Sequence, residues 1–139
     1  FAGLGALPVN EAMYLSLGTD PDGKPLHGSD RWKLVVPPID AGAFWSVSMY
    51  EKTPDGRLFF TDNPIHRHAV GDRTPGLQRD ADGNVELLLQ YDAPSDHANW
   101  LPTPAGEWAM MLRVYLPPPA MQRGEAALPR LVPVTDARR

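Results

Sequence analysis

The sequence predicts an all-β domain, an antiparallel β-sandwich of jelly-roll type with at most one or two short helices. Three observations carry this expectation. Apolar residues alternate with others in five separate segments, the period-2 pattern of a strand with one buried face. Asp-Gly turn signals recur at three places between such segments. Helical spacing is thin, while 16 prolines and 12 glycines punctuate the 139 residues.

Taken in order, residues 3–14 have room for a helical turn or two. Met13, Leu15 and Leu17 then share one face of a first strand. Asp20-Pro21-Asp22-Gly23 supplies a turn in which Gly provides positive φ at little cost. Trp32, Leu34 and Val36 mark the next strand. Trp45, Val47 and Met49 mark another, whose reverse carries Ser46, Ser48 and Tyr50. Pro54-Asp55-Gly56 and Asp80-Ala81-Asp82-Gly83 are the second and third turns. Val85, Leu87 and Leu89 follow, with Glu86, Leu88 and Gln90 opposite.

The longest stripe is Trp108, Met110, Leu112, Val114 and Leu116, with Met111, Arg113 and Tyr115 on the other face. Pro117-Pro118-Pro119 stops it, because proline cannot donate to a ladder. Residues 119–127 could hold a second short helix. Residues 131–134 read as an edge strand bounded by Pro129 and Pro133.

The length fits one domain over 1–139 with a sizeable core. A net charge of −4 without any Lys/Arg cluster argues against nucleic acid and against anionic membranes as partners. No apolar run is long enough for membrane insertion of this segment. The absence of cysteine excludes disulfides, thiolate metal sites and Cys nucleophiles, and leaves the compartment open. The first residue is Phe1 rather than Met. A complete product and the C-terminal part of a longer chain both stay open.

Chemistry-bearing residues concentrate in residues 62–101. On a strand, His66 and His68 would point the same way and could share a metal, with Asp72 completing a facial set. This spacing is similar to the His-x-His element of cupins, but no later histidine completes it. Two surface histidines beside a turn are the plainer reading. Asp72 and Arg73 read as a loop brace, or Arg67 and Arg73 as a grip on a substrate carboxylate. Asn63-Pro64 and Asn99-Trp100-Leu101-Pro102 read as loop anchors. Trp100 or Tyr115 would otherwise offer an aromatic platform, while Trp45 and Trp108 belong in the core. Arg113 interrupts an apolar strand and is expected to pair with a carboxylate such as Asp72. No Gly-x-Ser-x-Gly elbow, Gly-rich phosphate loop or catalytic carboxylate spacing stands out, and no cofactor is expected.

Phe44-Trp45-Ser46, Asn63-Pro64, Gly71-Asp72-Arg73-Thr74 and Asn99-Trp100-Leu101-Pro102 occur in this order. With them the chain, over about residues 3–134, resembles domain of unknown function 1214. That domain is commonly the C-terminal half of bacterial proteins that begin with domain of unknown function 1254. The resemblance implies a jelly-roll sandwich, a companion N-terminal domain and a periplasmic or secreted location. It supplies no reaction and no catalytic residues. At His66 and His68 the family more often resembles Asn and Tyr, which weighs against a family-wide metal site.

The leading expectation is an accessory or ligand-binding module, docked on a companion domain or forming a homo-oligomer. Its ligand would be small and polar or carbohydrate-like, touched by Arg67, Asp72, Arg73, Asn99, Trp100, Arg113 and Tyr115. Whether the chain is an enzyme stays open. A hydrolase or lyase at the concave face would use Asp72, Arg73 and Tyr115. A cupin-like metal site would use His66, His68 and Asp72.

Overall fold

Alternating apolar residues do form strands, and nine strands occur among the described residues. A computed structural model describes residues 12–38, 44–115 and 129–134. Along the chain the strands are β1 (Ala12–Leu17), β2 (Trp32–Val36), β3 (Phe44–Lys52), β4 (Leu58–Phe59) and β5 (Ala69–Gly71). They continue with β6 (Val85–Gln90), β7 (Trp100–Pro102), β8 (Trp108–Tyr115) and β9 (Arg130–Pro133). No helix occurs among the described residues. Of the expected helical turns, that at 3–14 overlaps β1 from Ala12 onward and otherwise lies outside the described residues, as does all of that at 119–127. Leu116 and the triple proline after β8 also lie outside them.

The strands form two sheets. One is antiparallel, in the order β1-β8-β3, with β4 and β5 both pairing with the far side of β3. The other runs β7-β6-β2-β9. It is mixed, because β7 lies parallel to β6, which corrects the wholly antiparallel expectation. Residues 91–99 carry the chain back far enough for β7 to enter β6's edge in the same direction.

The expected apolar stripes meet in one core. Trp45, Val47, Met49, Trp108, Met110, Leu112 and Val114 come from the first sheet; Leu34, Val36, Val85, Leu87 and Leu89 come from the second. Several of these side chains are wholly shielded from water, each worth about 1.5–3 kcal/mol by transfer. Met13, Leu15, Leu17, Trp32 and Leu131 pack around the margin. The edge strand expected at 131–134 is β9, displaced by one residue to Arg130–Pro133, and it pairs with β2.

All three Asp-Gly signals make the same turn. In each, a residue four positions before the exit donates its N–H across the turn, as Asp20 does to Lys24 O, Thr53 to Arg57 O and Asp80 to Asn84 O. Gly23, Gly56 and Gly83 sit at φ of 84°, 87° and 86°. That left-handed position suits glycine because a Cβ there clashes with the following backbone. The side chains of Asp20, Thr53 and Asp80 accept backbone N–H groups inside their own turns. Only the middle turn joins two of the named strands to each other, β3 to β4.

Candidate functional site

β4 and β5 pair with opposite ends of β3 and leave the middle of its edge to the chain between them. Residues 60–68 fill that gap, and Met49 N–H donates to His68 O at 2.9 Å. The Asn63-Pro64 turn is held by its own asparagine. Asn63 Oδ1 accepts the N–H of Arg67 at 2.9 Å, and Asn63 Nδ2 donates to Arg67 O at 2.8 Å. The loop thereby presents Arg67 toward the facing sheet. Arg67 Nη1 donates to the carbonyl oxygens of His97, Ala98 and Trp100 at 3.0, 3.1 and 2.9 Å. One guanidinium thus staples the edge of the first sheet to β7, the edge of the second.

A cavity of about 300 Å³ lies beside this staple. Met49, Trp100, Pro102 and Pro104 give it apolar walls, and Arg67, His68, Thr103 and Tyr91 give it polar groups. Thr103 is 4% exposed, and its Oγ1 finds no hydrogen-bond partner among the described residues. Such an unpaired buried hydroxyl costs about 1–3 kcal/mol. Trp100 is fully buried, with its indole N–H donating to Gln90 O at 2.8 Å. It is the expected anchor and cannot serve as an open stacking platform.

The second feature is the solvent face of the five-stranded sheet. There Phe44 stacks on Tyr115 with centroids 5.0 Å apart, and Arg73 lies over the Phe44 ring at 4.4 Å. Tyr50 stacks on Phe60, which in turn touches His68. Arg113 stands on the same face and donates to Ser48 Oγ at 3.0 Å and Tyr50 OH at 3.3 Å. It pairs with no carboxylate among the described residues, so the expected Arg113–Asp72 pair is not formed. Leu58, Phe59 and Phe60, three apolar residues in a row, are 46%, 47% and 57% exposed beside this face.

The expected site residues therefore fall into separate groups. Arg67 and Trp100 meet at the cavity. Arg73, Arg113 and Tyr115 share the sheet face. Asn99 lies on the flank, where it accepts Gln78 N–H at 2.8 Å and donates to Gln78 O and Glu86 O, as a loop anchor should. Asp72 and Arg73 do not brace each other. The turn is tied instead by Thr74, whose Oγ1 accepts Gly71 N–H at 2.9 Å, while Arg73 turns to the aromatic ring. Gly71 is required because a Cβ there would meet Trp45 O at 2.5 Å, so β5 approaches β3 too closely for a side chain.

The histidine pair is also rearranged. His66 and His68 precede β5 rather than lying on a strand, and His66 adopts φ of 50°. Its ring meets Asp62 Oδ1 at 3.1 Å in an exposed turn, while His68 packs on Phe60 and the cavity wall. A shared direction for i and i+2 holds only in extended backbone. Among the described residues no three His, Asp or Glu side chains are placed to hold a metal, so His66, His68 and Asp72 do not assemble the cupin-like set.

Thr103, Tyr91, Phe59 and Phe60 were not expected from sequence. The run Leu58-Phe59-Phe60 is a legible signal, since three adjacent apolar residues cannot all face one core from a strand. Thr103 carries no such mark. Among the described residues no helix is long and apolar enough to cross a membrane.

A family model described as "Protein of unknown function (DUF1214)" matches residues 11–119. The VPA0106 protein of Vibrio parahaemolyticus superposes with a TM-score of 0.76 at 28% identity, over 96% of this chain and 33% of that one. An uncharacterized protein of Burkholderia cenocepacia superposes with a TM-score of 0.59 at 15% identity, over 94% of this chain and 31% of the other. The second likeness is one of fold alone. This chain spans about a third of the length of both. None of the curated proteins matches it.

Proposed function

We propose that this chain, which belongs to the DUF1214 family of proteins of unknown function, is an accessory β-sandwich of jelly-roll type that docks on a companion domain. The docking surface is the solvent face of the five-stranded sheet together with Leu58, Phe59 and Phe60. The observation that carries this reading is that apolar run, exposed by about half along its length. Contiguous apolar surface of this kind marks an interaction site more often than chance.

The chemistry of the face specifies its occupant. Aromatic residues and arginines are the side chains enriched at interface centres. Arg73 and Arg113 have no carboxylate partner among the described residues. The companion is thus a folded domain with an apolar centre flanked by carboxylates. The two structural relatives, each about three times as long as the segment they share with this chain, contain enough additional chain to supply such a domain. The periplasmic or secreted location implied by the family resemblance belongs to the same proposal.

A hydrolase or lyase acting through Asp72, Arg73 and Tyr115 has less support. Arg73 approaches Phe44 from the turn after β5 and Tyr115 approaches it from β8, while the Asp72 N–H donates to Trp45 O. These three line neither the cavity at Thr103 nor three other cavities formed by described residues. Proton transfer needs a substrate held within hydrogen-bond reach of both groups.

The test uses the intact VPA0106 protein. It is clipped by limited proteolysis between the matching segment and the remaining chain, then run on a sizing column. The two pieces are expected to co-elute, and to separate when aspartate replaces the residues matching Phe59 and Phe60. Pieces that separate without any substitution, or that co-elute despite both, would overturn the docking reading.

A further inference from the structure

We infer that a hollow on the solvent face of the five-stranded sheet receives one large apolar side chain of the companion domain. This rests on the docking reading and names the anchor point within that surface. Cross-strand register makes the hollow. Tyr50 of β3 lies opposite Ala109 of β8. Leu17 of β1 lies opposite Met110, which brings the next residue, Gly18, beside Ala109. An alanine and a glycine in one cross-strand row leave the face bare beside Tyr50. A cavity of about 200 Å³ stands there, lined by Tyr50, Leu58, Lys52, Met111, Ala109 and Gly18.

Neither backbone strain nor close packing requires glycine at position 18. Its φ is not in the left-handed region, unlike those of Gly23, Gly56 and Gly83. A Cβ there would meet nothing within 4 Å, unlike one at Gly71. What the missing side chain does is leave room over Ala109.

Size and chemistry select the occupant. The hollow is smaller than the roughly 300–1,000 Å³ of small-molecule sites, and suits a single side chain. Its polar groups are answered within the chain: Lys52 pairs with Glu107 at 3.4 Å, and Tyr50 OH accepts from Arg113. A polar ligand would find little to specify it, whereas an apolar group gains from burial against Leu58, Met111 and the Tyr50 ring. Phe60 stacks on Tyr50 with centroids 5.0 Å apart, so the hollow is continuous with the exposed apolar run. An apolar pocket inside a patch with a polar rim is where an interface anchor inserts. Arg113, bonded to Tyr50 and without a carboxylate partner among the described residues, adds charge at the border. The anchor is therefore a leucine, methionine or phenylalanine with a carboxylate near it. In the VPA0106 protein the two thirds of the chain outside the matching segment would supply it.

The hollow is tested by NMR titration of the isotope-labelled chain with N-acetyl-leucinamide and N-acetyl-serinamide. The leucine amide is expected to shift the Ala109 and Met111 methyls and the Tyr50 ring. Its dissociation constant should be on the order of 10–100 mM, which burial of one such side chain supplies. The serine amide should leave those signals in place. Gly18→Leu should abolish the shifts and keep the spectrum otherwise native, since its side chain enters open space. Equal shifts from both amides, shifts centred on another surface, or undiminished binding to Gly18→Leu would each overturn the assignment. If Gly18→Leu were to unfold, the comparison of the two amides on the unaltered chain would still decide it. The occupant is tested in the clipped VPA0106 protein, with leucine at the residue matching Gly18. The pieces are expected to separate, as they should with the two aspartates. Pieces that co-elute despite the leucine, while the aspartates still part them, would overturn the anchor and leave the docking reading standing. Pieces that separate unaltered would remove the docking reading, and this anchor with it.

Discussion

Arg67 donates through one nitrogen to three main-chain carbonyls, whereas Arg113 reaches only two side-chain hydroxyls among the described residues. Both are partly buried, Arg67 in an irregular turn and Arg113 within a strand of buried apolar residues. The first sits where two sheet edges meet, a place with carbonyl oxygens to spare because β7 is an edge strand. The second sits on a sheet face, where the ladder already uses the carbonyls and only side chains remain. An arginine anchored to backbone becomes part of the frame. One answered by hydroxyls keeps its charge uncompensated and available to a partner. The stapled edge is therefore expected to be rigid and intolerant of change, and the face tolerant.

Arg67→Ala should show the largest effect. It removes three charge-assisted bonds to main-chain carbonyls, for a loss of about 3 kcal/mol in urea unfolding. A loss below about 1 kcal/mol would put Arg67 in the same class as Arg113 and dissolve the contrast. Gly71→Ala comes next, at the same edge. Its Cβ would meet Trp45 O at 2.5 Å, so β5 must shift on β3, at about 2 kcal/mol. Thermal unfolding with backbone amide shifts along Ser46, Val47 and Ser48 would register it.

Arg113→Met tests the face. It keeps the aliphatic stem over the sheet and discards two modest hydrogen bonds, so stability should change by less than about 1 kcal/mol. Binding to the companion domain should weaken far more than stability does.

The smallest effect belongs to the turns, outside both regions. The Thr53 hydroxyl chiefly, with Arg57, holds Asp55 below its ordinary value of 3.8. At Asp80, desolvation is the largest single effect and pushes upward, but the hydrogen bonds from Asn84 and from the N–H groups of Asp82 and Gly83 together outweigh it, so it too is lowered. A carboxylate whose folded value is depressed stabilises the fold above its unfolded value, and that stabilisation is lost as pH falls through the folded one. Asp80→Asn should therefore flatten the acid side of the stability profile below about pH 4. Both groups are fully exposed, so the change is slight.

Much of the frame was legible because it rests on periodicity and turn chemistry. The stripe from Trp108 to Val114 forms β8, and Asp20, Thr53 and Asp80 hold matching turns. Strands of two or three residues escaped, since Leu58–Phe59, Ala69–Gly71 and Trp100–Pro102 are too short to show a period. Asn63 and Asn99 were recognisable as anchors because amides in proline-rich turns have few other uses. The partners of Arg67 and Arg113 were not. Arg67 finds carbonyls some thirty residues away, and Arg113 finds Ser48 and Tyr50 across β3 instead of Asp72. Such pairings depend on which strands become neighbours, information that local spacing does not carry. The division of the seven expected ligand contacts among cavity, face and flank has the same origin.

The claim that the aromatic face exists to be covered is tested most directly in this chain by the double substitution Phe59→Asp and Phe60→Asp, followed by urea unfolding and sedimentation. Side chains 47% and 57% exposed contribute little to the fold. The account predicts a stability change within about 1 kcal/mol and less self-association at high concentration than in the unaltered chain. A loss of several kcal/mol, with self-association unchanged, would show instead that both phenylalanines hold the sheet edge together and leave no apolar surface for a partner.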